Sequence, residues 1–390
     1  MAHFVRLVSL ADSLISKGDE KGDEYDVHLY APARFAHYLA GKPYSTGELK
    51  TMPGEQFLAN IARGKAMFPA DVIRRYVQED RSLIQNLRPD LVVGDLRFSL
   101  PISARLEKVA CAVLMNAYWS PYAKRRAIIP ELPLTQVVPP RLLGPLYRAI
   151  QPIAFALHVA QMNRVRKEFG VAPLPLDQRN LFADGDYVLY ADVPEFVPTP
   201  GAPSSHFYVG ICDWAPPTAK PEWWERMCED PKPKVFVSLG SSGPIRVLPQ
   251  LLEALARLPV AIVLSTSGRQ MLATTGIYTA GLLPFIETAS QSALVVSHGG
   301  SGGLYPAMAA GTPVLAIPSN ADQHLSTAVL EENGAGLGVR VEEASAHTLH
   351  AALSKLFFDP RFKESAKAWG TLFQQHASKN VFQQFLNVVS

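Results

Sequence analysis

Residues 283–339 read LPFIETASQSALVVSHGGSGGLYPAMAAGTPVLAIPSNADQHLSTAVLEENGAGLGV, and their pattern indicates the fold class. The apolar run Leu294–Ser297 predicts a buried strand, Leu304–Ala310 predicts a helix, and Val314–Ile317 predicts the next strand. His324–Asn333 predicts the helix that closes the series. Short strands that alternate with helices in this way are typical of a doubly wound parallel sheet.

The same alternation continues outward in both directions, and 390 residues are enough for two domains. The sequence therefore predicts an α/β protein with two Rossmann-like, doubly wound domains. The further predicted strands are Val27–Tyr30, Asp90–Gly94, Ala110–Asn116, Lys234–Leu239 and Val260–Ser265, and the further helices are Ala70–Leu87 and Ile245–Leu258.

A proline-rich stretch at Val197–Pro233 predicts a stiff, largely irregular linker between the two domains. We expect an N-terminal domain over residues 1–200, the linker over 201–232 and a C-terminal domain over 233–370. Residues 371–390 predict a tail helix, which we expect to return to the N-terminal domain.

Composition narrows the class of partner and compartment. Hydrophobic residues make up 48% and charged residues 18%, and the net charge is only +2, so there is no electrostatic case for a nucleic-acid partner. The cysteines, Cys111, Cys212 and Cys228, form no CxxC motif and indicate a reducing compartment. The N-terminus does not resemble a signal peptide, and no apolar run reaches the ~18 residues of a membrane span. We therefore expect a cytoplasmic protein.

The glycine-rich segment His298–Gly303 follows a predicted strand and opens a predicted helix. Backbone N–H groups in such a turn approach an anion closely, and the helix N-terminus adds a favourable dipole, as a diphosphate site requires. The polar segment Pro318–Gln323 follows the adjacent strand, where ligands of doubly wound sheets bind. An acid beside an amide there can hold sugar hydroxyls.

This segment resembles the donor-binding signature of the family 1 glycosyltransferases, the UDP-glycosyltransferase-like enzymes that include bacterial natural-product and macrolide glycosyltransferases. The resemblance implies a GT-B fold, in which two Rossmann-like domains face each other across a cleft. The residues at matching spacings are His298, Gly300, Gly311, Pro313, Pro318, Asp322 and Gln323.

By this resemblance, backbone at Leu283 holds the nucleobase, and Asp322 and Gln323 hold the donor sugar. The chain departs from the family at Gly303, where many members have Ser or Thr, and at Pro306, where many plant members have a ribose-binding Glu. Pro306 would suit a first helical turn. The resemblance assigns diphosphate contacts to Gly240, Ser241, Ser242, His298, Gly300, Ser301 and Gly302.

The resemblance also assigns His3 as the general base and Asp95 as the carboxylate that orients it. A neutral imidazole has a suitable pKa range for this work, and an acid behind it fixes the tautomer. Only Met1 and Ala2 precede His3, so the strand with which family members begin is absent. We expect the true start to lie further upstream.

The function implied is an inverting, metal-independent transfer of a hexose from a UDP- or dTDP-sugar to a hydroxyl of a small lipophilic acceptor. The nucleotide-sugar, with UDP-sugar preferred, is a co-substrate, and neither a cofactor nor a metal site is expected. Two alternatives stay open: a catalytically silent relative that still binds nucleotide-sugar or acts as a partner protein, and a UDP-sugar 2-epimerase.

Three further features have two interpretations each. Asp184-Gly185-Asp186 resembles a metal-binding Asp-x-Asp, although a turn is the better interpretation. Arg141–Arg166 mixes apolar residues with arginines, which fits helix packing or, less well, contact with a membrane surface. The aromatic run Asn116–Tyr122 fits an apolar acceptor pocket and a domain core equally well.

Overall fold

The computed structural model describes residues 2–15, 25–62, 66–124, 126, 128–211, 215–240, 243–269 and 276–389. Its strands are β1 His28–Ala31, β2 Ser45–Glu48, β3 Leu91–Asp95, β4 Ala110–Met115, β5 Tyr187–Tyr190, β6 His206–Tyr208, β7 Lys234–Ser238, β8 Ala261–Ser265, β9 Tyr278–Ala280, β10 Leu294–Ser297, β11 Val314–Ala316 and β12 Gly336–Gly338.

The helices alternate with these strands. They are α1 Ala2–Ile15, α2 Ala36–Leu39, α3 Gly54–Ala62, α4 Ala70–Leu87, α5 Leu100–Glu107, α6 Pro140–Glu168, α7 Arg179–Phe182, α8 Trp224–Glu229, α9 Leu248–Leu255, α10 Phe285–Ser290, α11 Ser301–Ala309, α12 Ala321–Glu332, α13 Ala346–Phe358, α14 Pro360–Gln375 and α15 Ser378–Val389.

The chain forms two compact units. Unit 1 comprises Met1–Ala127, Gly144–Trp214 and Ala377–Ser390, and unit 2 comprises Ile128–Leu143 and Ala215–His376. Each unit contains parallel sheets, so the α/β prediction is confirmed.

Unit 1 has a four-stranded parallel sheet in the order β3-β4-β5-β6 and a separate parallel pair, β1-β2. Strand β4 is apolar along its whole length and mostly buried, as expected for a parallel strand with both faces covered. Helix α1 packs against two neighbours, because its apolar residues lie on two different faces of the helix. Phe4 and Val8 contact the β1 region, whereas Leu10 joins a core with Leu114 and with Phe385 of α15.

Unit 2 is built on a six-stranded parallel sheet in the order β12-β11-β10-β7-β8-β9. Apolar side chains of β7, β10, α9 and α13 form its core. Because all strands run in one direction, the turns that follow β7, β8, β10 and β11 lie along one edge of the sheet, where ligands of such sheets bind.

Helix α11 corrects one prediction. It was expected over Leu304–Ala310 but begins at Ser301, with Gly300 as its N-cap. Pro306 is therefore the sixth residue of α11 rather than part of its first turn, and it removes one hydrogen bond of the helix interior. The apolar pattern missed this start because the first turn consists of Ser and Gly, which carry no apolar periodicity.

The proline-rich stretch 201–232 was expected to be largely irregular, and it contains β6 and α8. Strand β6 pairs with β5 and completes the four-stranded sheet of unit 1. The prolines of the stretch lie outside these paired residues. Residues 128–143 group with unit 2, and residues from Ala377 onward group with unit 1. Among the described helices, none combines the length and the apolar character that crossing a bilayer requires.

Candidate active site

Two glycine turns of unit 2 flank one imidazole. Strands β7 and β10 are neighbours in the sheet, with Ser238 opposite Ser297, so the turns that follow them start side by side. Gly240 has φ +60°, and a Cβ on it would lie 2.8 Å from Cε1 of His298. A Cβ on Gly300 would lie 2.7 Å from Nε2 of the same ring. Glycine at both positions therefore makes room for His298.

His298 is neutral at physiological pH. Burial, opposed by the charge of Asp322 and aided by that of Arg269, lowers its pKa to about 4. Its buried Nδ1 has no hydrogen-bond partner among the described residues. A neutral imidazole keeps one N–H donor, which suits a diphosphate oxygen.

The turn after β10 is held rigidly by the neighbouring helix α12. The Gly299 N–H donates to the Ser297 hydroxyl at 3.0 Å, and the Ser326 hydroxyl donates to the Gly299 carbonyl. Gly299 itself has φ +81°, which favours glycine. The chain then enters α11, so Ser301 and Gly302 form the first turn of a helix whose N-terminus favours an anion.

Asp322 and Gln323 lie in the first turn of α12, but their environments differ. Gln323 is 2% exposed, and its amide oxygen accepts hydrogen bonds from the Ser319 N–H at 2.9 Å and the Ser319 hydroxyl at 3.0 Å. Its own N–H donates to the Asn320 side chain at 3.0 Å, which completes a capping box. Gln323 therefore shapes the loop, and Asp322 is the partly exposed acid that the loop presents.

Arg269, in the turn after β8, was not predicted from the sequence. Ser267 and Gly268 have φ values of +55° and +77°, an unusual pair of left-handed residues directly before it. Both terminal nitrogens of Arg269 donate to the Gly243 carbonyl at 3.2 Å, so its guanidinium lies beside the first glycine turn. The sequence signal that could have identified Arg269 was the Ser-Gly-Arg run at the end of the strand that neighbours β7.

The structure describes some of the other predicted donor-site residues but not all of them. Leu283 is buried, at 7% exposed, in the segment between β9 and α10. Ser241 and Ser242 lie outside the described residues. At Gly303, a Cβ would make only ordinary contacts, the nearest 3.6 Å from Ser297.

In unit 1, folding brings His3 of α1 to Asp95 at the end of β3. The His3 Nδ1 lies 2.8 Å from an Asp95 oxygen. The Asp95 side chain is 2% exposed and that of His3 is 50% exposed. When Nδ1 carries the proton, the buried acid can orient the ring through it, and the other ring nitrogen is then the basic one. The Nη2 atom of Arg6 also lies 3.0 Å from this Nδ1.

Arg6, one turn after His3 on α1, shares this carboxylate. Its Nε donates to one Asp95 oxygen and its Nη2 to the other, both at 2.8 Å, and its Nη1 donates to Asn116 at 2.7 Å. Burial alone would raise the pKa of Asp95, but the charges of Arg6 and His3 hold that pKa below its ordinary value. Asp95 is therefore ionised. The sequence analysis missed Arg6, although the i, i+3 spacing from His3 was a usable signal.

The remaining candidates have structural partners. Asp184 pairs with Arg105 and Arg166, and Asp186 accepts from the Cys111 N–H at 2.9 Å, so this segment is a turn that makes internal contacts. Across the described ranges, no group of three or more His, Cys, Asp or Glu residues has the arrangement of a metal site. In the aromatic run, Tyr118 is buried and Tyr122 is 38% exposed.

Comparison with known proteins shows which proteins this chain resembles. A family model described as the C-terminal domain of erythromycin biosynthesis protein CIII-like proteins matches residues 249–380. The PGL/p-HBAD biosynthesis glycosyltransferase of Mycobacterium tuberculosis (strain ATCC 25177 / H37Ra) is 38% identical over 375 residues, which is 96% of this chain and 86% of that protein. The PGL/p-HBAD biosynthesis rhamnosyltransferase of Mycobacterium bovis (strain BCG / Pasteur 1173P2) is 37% identical, over 94% of this chain and 80% of that protein.

Two further proteins complete the comparison. A protein of the same M. bovis strain named as an inactive PGL/p-HBAD biosynthesis glycosyltransferase is 39% identical, over 66% of this chain and 68% of its own length. The solved structure of the spinosyn rhamnosyltransferase SpnG complexed with thymidine diphosphate has a TM-score of 0.67 at 16% identity, over 99% of this chain and 97% of that one. On the fold and on this near full-length similarity, the chain belongs to the family 1 glycosyltransferases of the GT-B fold.

Proposed function

We propose that this glycosyltransferase moves a sugar from a UDP- or dTDP-hexose to a hydroxyl of a small lipophilic acceptor, by a single inverting displacement without a metal ion. The observation that carries the proposal is the His3–Asp95 pair, with 2.8 Å between imidazole and carboxylate. A half-exposed imidazole oriented by a buried, ionised acid is the arrangement of a general base.

In the proposed reaction the bare Nε2 of His3 takes the proton of the acceptor hydroxyl. The acceptor oxygen forms a bond to the anomeric carbon as the bond from that carbon to the diphosphate oxygen breaks. The electron pair leaves with the nucleoside diphosphate. A bare Nε2 requires the proton on Nδ1, which then donates to Asp95.

The leaving diphosphate would be stabilised by three groups of unit 2. They are the N-terminus of α11, the neutral His298 side chain and the guanidinium of Arg269 beside Gly243. Each is in place before the reaction, so it stabilises developing negative charge with little reorganisation. Asp322 is the proposed ligand of the sugar hydroxyls, on the loop that Gln323 braces.

Two observations bear on the substrates. One relative is named a rhamnosyltransferase, and the solved rhamnosyltransferase binds thymidine diphosphate, which favours dTDP-sugars in the donor panel.

The test is transfer and donor hydrolysis with a panel of UDP- and dTDP-sugars and phenolic acceptors, with EDTA present. We expect turnover in EDTA, no gain on adding Mg²⁺, and a product of inverted anomeric configuration by NMR. Turnover that appears only with a divalent cation, or a retained configuration, would contradict the proposed mechanism.

The silent relative remains the second candidate, because one protein of this family with 39% identity is named inactive. It predicts nucleotide binding without turnover for every donor in the panel. The epimerase alternative predicts conversion of the UDP-sugar without any acceptor, and chromatography of the recovered sugar detects that conversion.

A further inference from the structure

Helix α6 carries an apolar stripe that the fold leaves uncovered. Its members are spaced by three and four residues, so they share one face of the helix over about 22 Å of its length. Each is between 48% and 68% exposed. We call this face the α6 stripe, and its residues are Leu142, Leu146, Ile150, Ile153 and Leu157.

The stripe is not an unfinished part of the core. Further along the same helix, Val159, Met162 and Val165 are buried and pack with Ile73 and Ile102. Helix α6 is therefore anchored through its C-terminal part, as the packing interpretation of this segment expects. Its first four turns present large apolar side chains to solvent, which is uncommon for a contiguous face.

The charges of α6 indicate what covers the stripe. Pro140–Lys167 contains arginines and a lysine but neither Asp nor Glu. Arg164 lies seven residues after Leu157, so it continues the same face, and both Arg164 and Lys167 are exposed. An apolar face that ends in cations complements a surface with an apolar interior and negatively charged headgroups.

We propose that the α6 stripe docks on an anionic membrane surface. The five apolar side chains enter the headgroup region while α6 lies along the surface, and Arg164 and Lys167 contact lipid phosphates. The stripe contains none of the residues assigned above to donor binding or to proton transfer, so this inference does not depend on the proposed reaction.

The test is co-sedimentation of the full chain with vesicles of phosphatidylcholine alone and of phosphatidylcholine mixed with phosphatidylglycerol. We expect binding to the anionic vesicles that weakens at high salt. The double variant Leu146→Glu/Ile153→Glu should lose about tenfold or more of this binding, because two inserted apolar side chains are replaced by charges. Leu176→Glu is the matched control, since Leu176 is 57% exposed outside α6.

A second pair of variants separates charge from apolar contact. Arg164→Glu/Lys167→Glu should lose about tenfold on anionic vesicles. Arg148→Glu, an exposed position off the stripe, should lose much less. Unchanged melting temperature and nucleotide binding in all variants show that each is folded. The proposal is overturned if the wild-type protein does not bind anionic vesicles. It is also overturned if the stripe variants bind them as strongly as wild type does. A wild-type dimer that ignores vesicles and becomes monomeric in Leu146→Glu/Ile153→Glu overturns it too, because the occupant is then a second copy.

Discussion

The Nδ1 atom of His3 lies 2.8 Å from a carboxylate oxygen of Asp95, although 92 residues separate the two in sequence. The packing of α1 in unit 1 creates this contact, and Arg6 fixes it by binding the same carboxylate through two hydrogen bonds of 2.8 Å. The acid is buried and the imidazole is half exposed. The pair therefore combines a buried acid with an imidazole that solvent can reach.

Asp95→Asn should reduce kcat about 10²- to 10⁴-fold, because the amide cannot stabilise a protonated His3 as the ionised carboxylate does. Nucleotide binding, which involves unit 2, should not change, and calorimetric titration with UDP and dTDP checks it. Asp359→Asn, at an exposed pair with Arg361, is the matched control and should leave kcat unchanged. An Asp95→Asn enzyme with wild-type kcat would remove the carboxylate from the mechanism.

Arg269→Ala should weaken binding of UDP or dTDP about tenfold or more, because a charge-assisted contact with the diphosphate is lost. The loss should shrink for the monophosphate and vanish for the nucleoside, which a purely structural role would not produce. Calorimetric titration with all three ligands measures this series. Arg257→Ala, which breaks an exposed pair with Glu253, is the control. Equal losses for diphosphate and nucleoside would show that Arg269 only braces the Gly243 turn.

Gly300→Ala should lower nucleotide affinity about tenfold or more, since a Cβ 2.7 Å from His298 Nε2 displaces the imidazole. Gly303→Ala is matched to it in the same helical turn, where the nearest contact is an ordinary 3.6 Å. That variant should keep its affinity and gain about 0.5–1 kcal/mol of stability, because alanine is the better helix residue. Similar affinities for the two variants would contradict the packing around His298.

Unit 2 should lose stability as the pH falls below about 6.5, the ordinary pKa of histidine. Burial lowers the pKa of His298 to about 4 and that of His324 to about 3, so between these values and 6.5 only the unfolded chain takes up these protons. Each group then costs about 2 kcal/mol of unfolding free energy at pH 5 relative to pH 7. Urea unfolding from pH 7 to pH 4.5 measures the slope, and His324→Leu should flatten it. A His324→Leu slope equal to that of wild type would show that His324 does not contribute.

The donor half was predictable from sequence because its signals are local. Strands β7, β10 and β11 follow from short apolar runs, and the positions of His298 and Asp322 follow from their spacing. The start of α11 was misplaced because its first turn is Ser-Gly-Gly, where capping by Gly300 and tertiary support replace apolar periodicity. The capping box formed by Asn320 and Gln323 was not predicted, and the assignment of Gln323 to the donor sugar stays a prediction.

The contacts that sequence reasoning missed are long-range or depend on backbone strain. Arg6 binds Asp95 across 89 residues, and a single sequence does not show which arginine reaches a given acid. Two residues with a left-handed backbone conformation, Ser267 and Gly268, precede Arg269 and direct it to Gly243. Residues that have a side chain, such as Ser267, rarely adopt that backbone conformation. Strand β6 was not predicted because it has only three paired residues and lies within a proline-rich stretch.

The most direct test of the proposed reaction is the turnover of His3→Ala beside wild type, with the best donor and acceptor of the panel and with EDTA present. We expect wild-type transfer in EDTA, a loss of about 10²-fold or more in His3→Ala, and partial recovery on adding free imidazole, with nucleotide affinity unchanged. Transfer by His3→Ala at the wild-type rate would contradict the assignment of His3 as the base and, with it, the proposed mechanism.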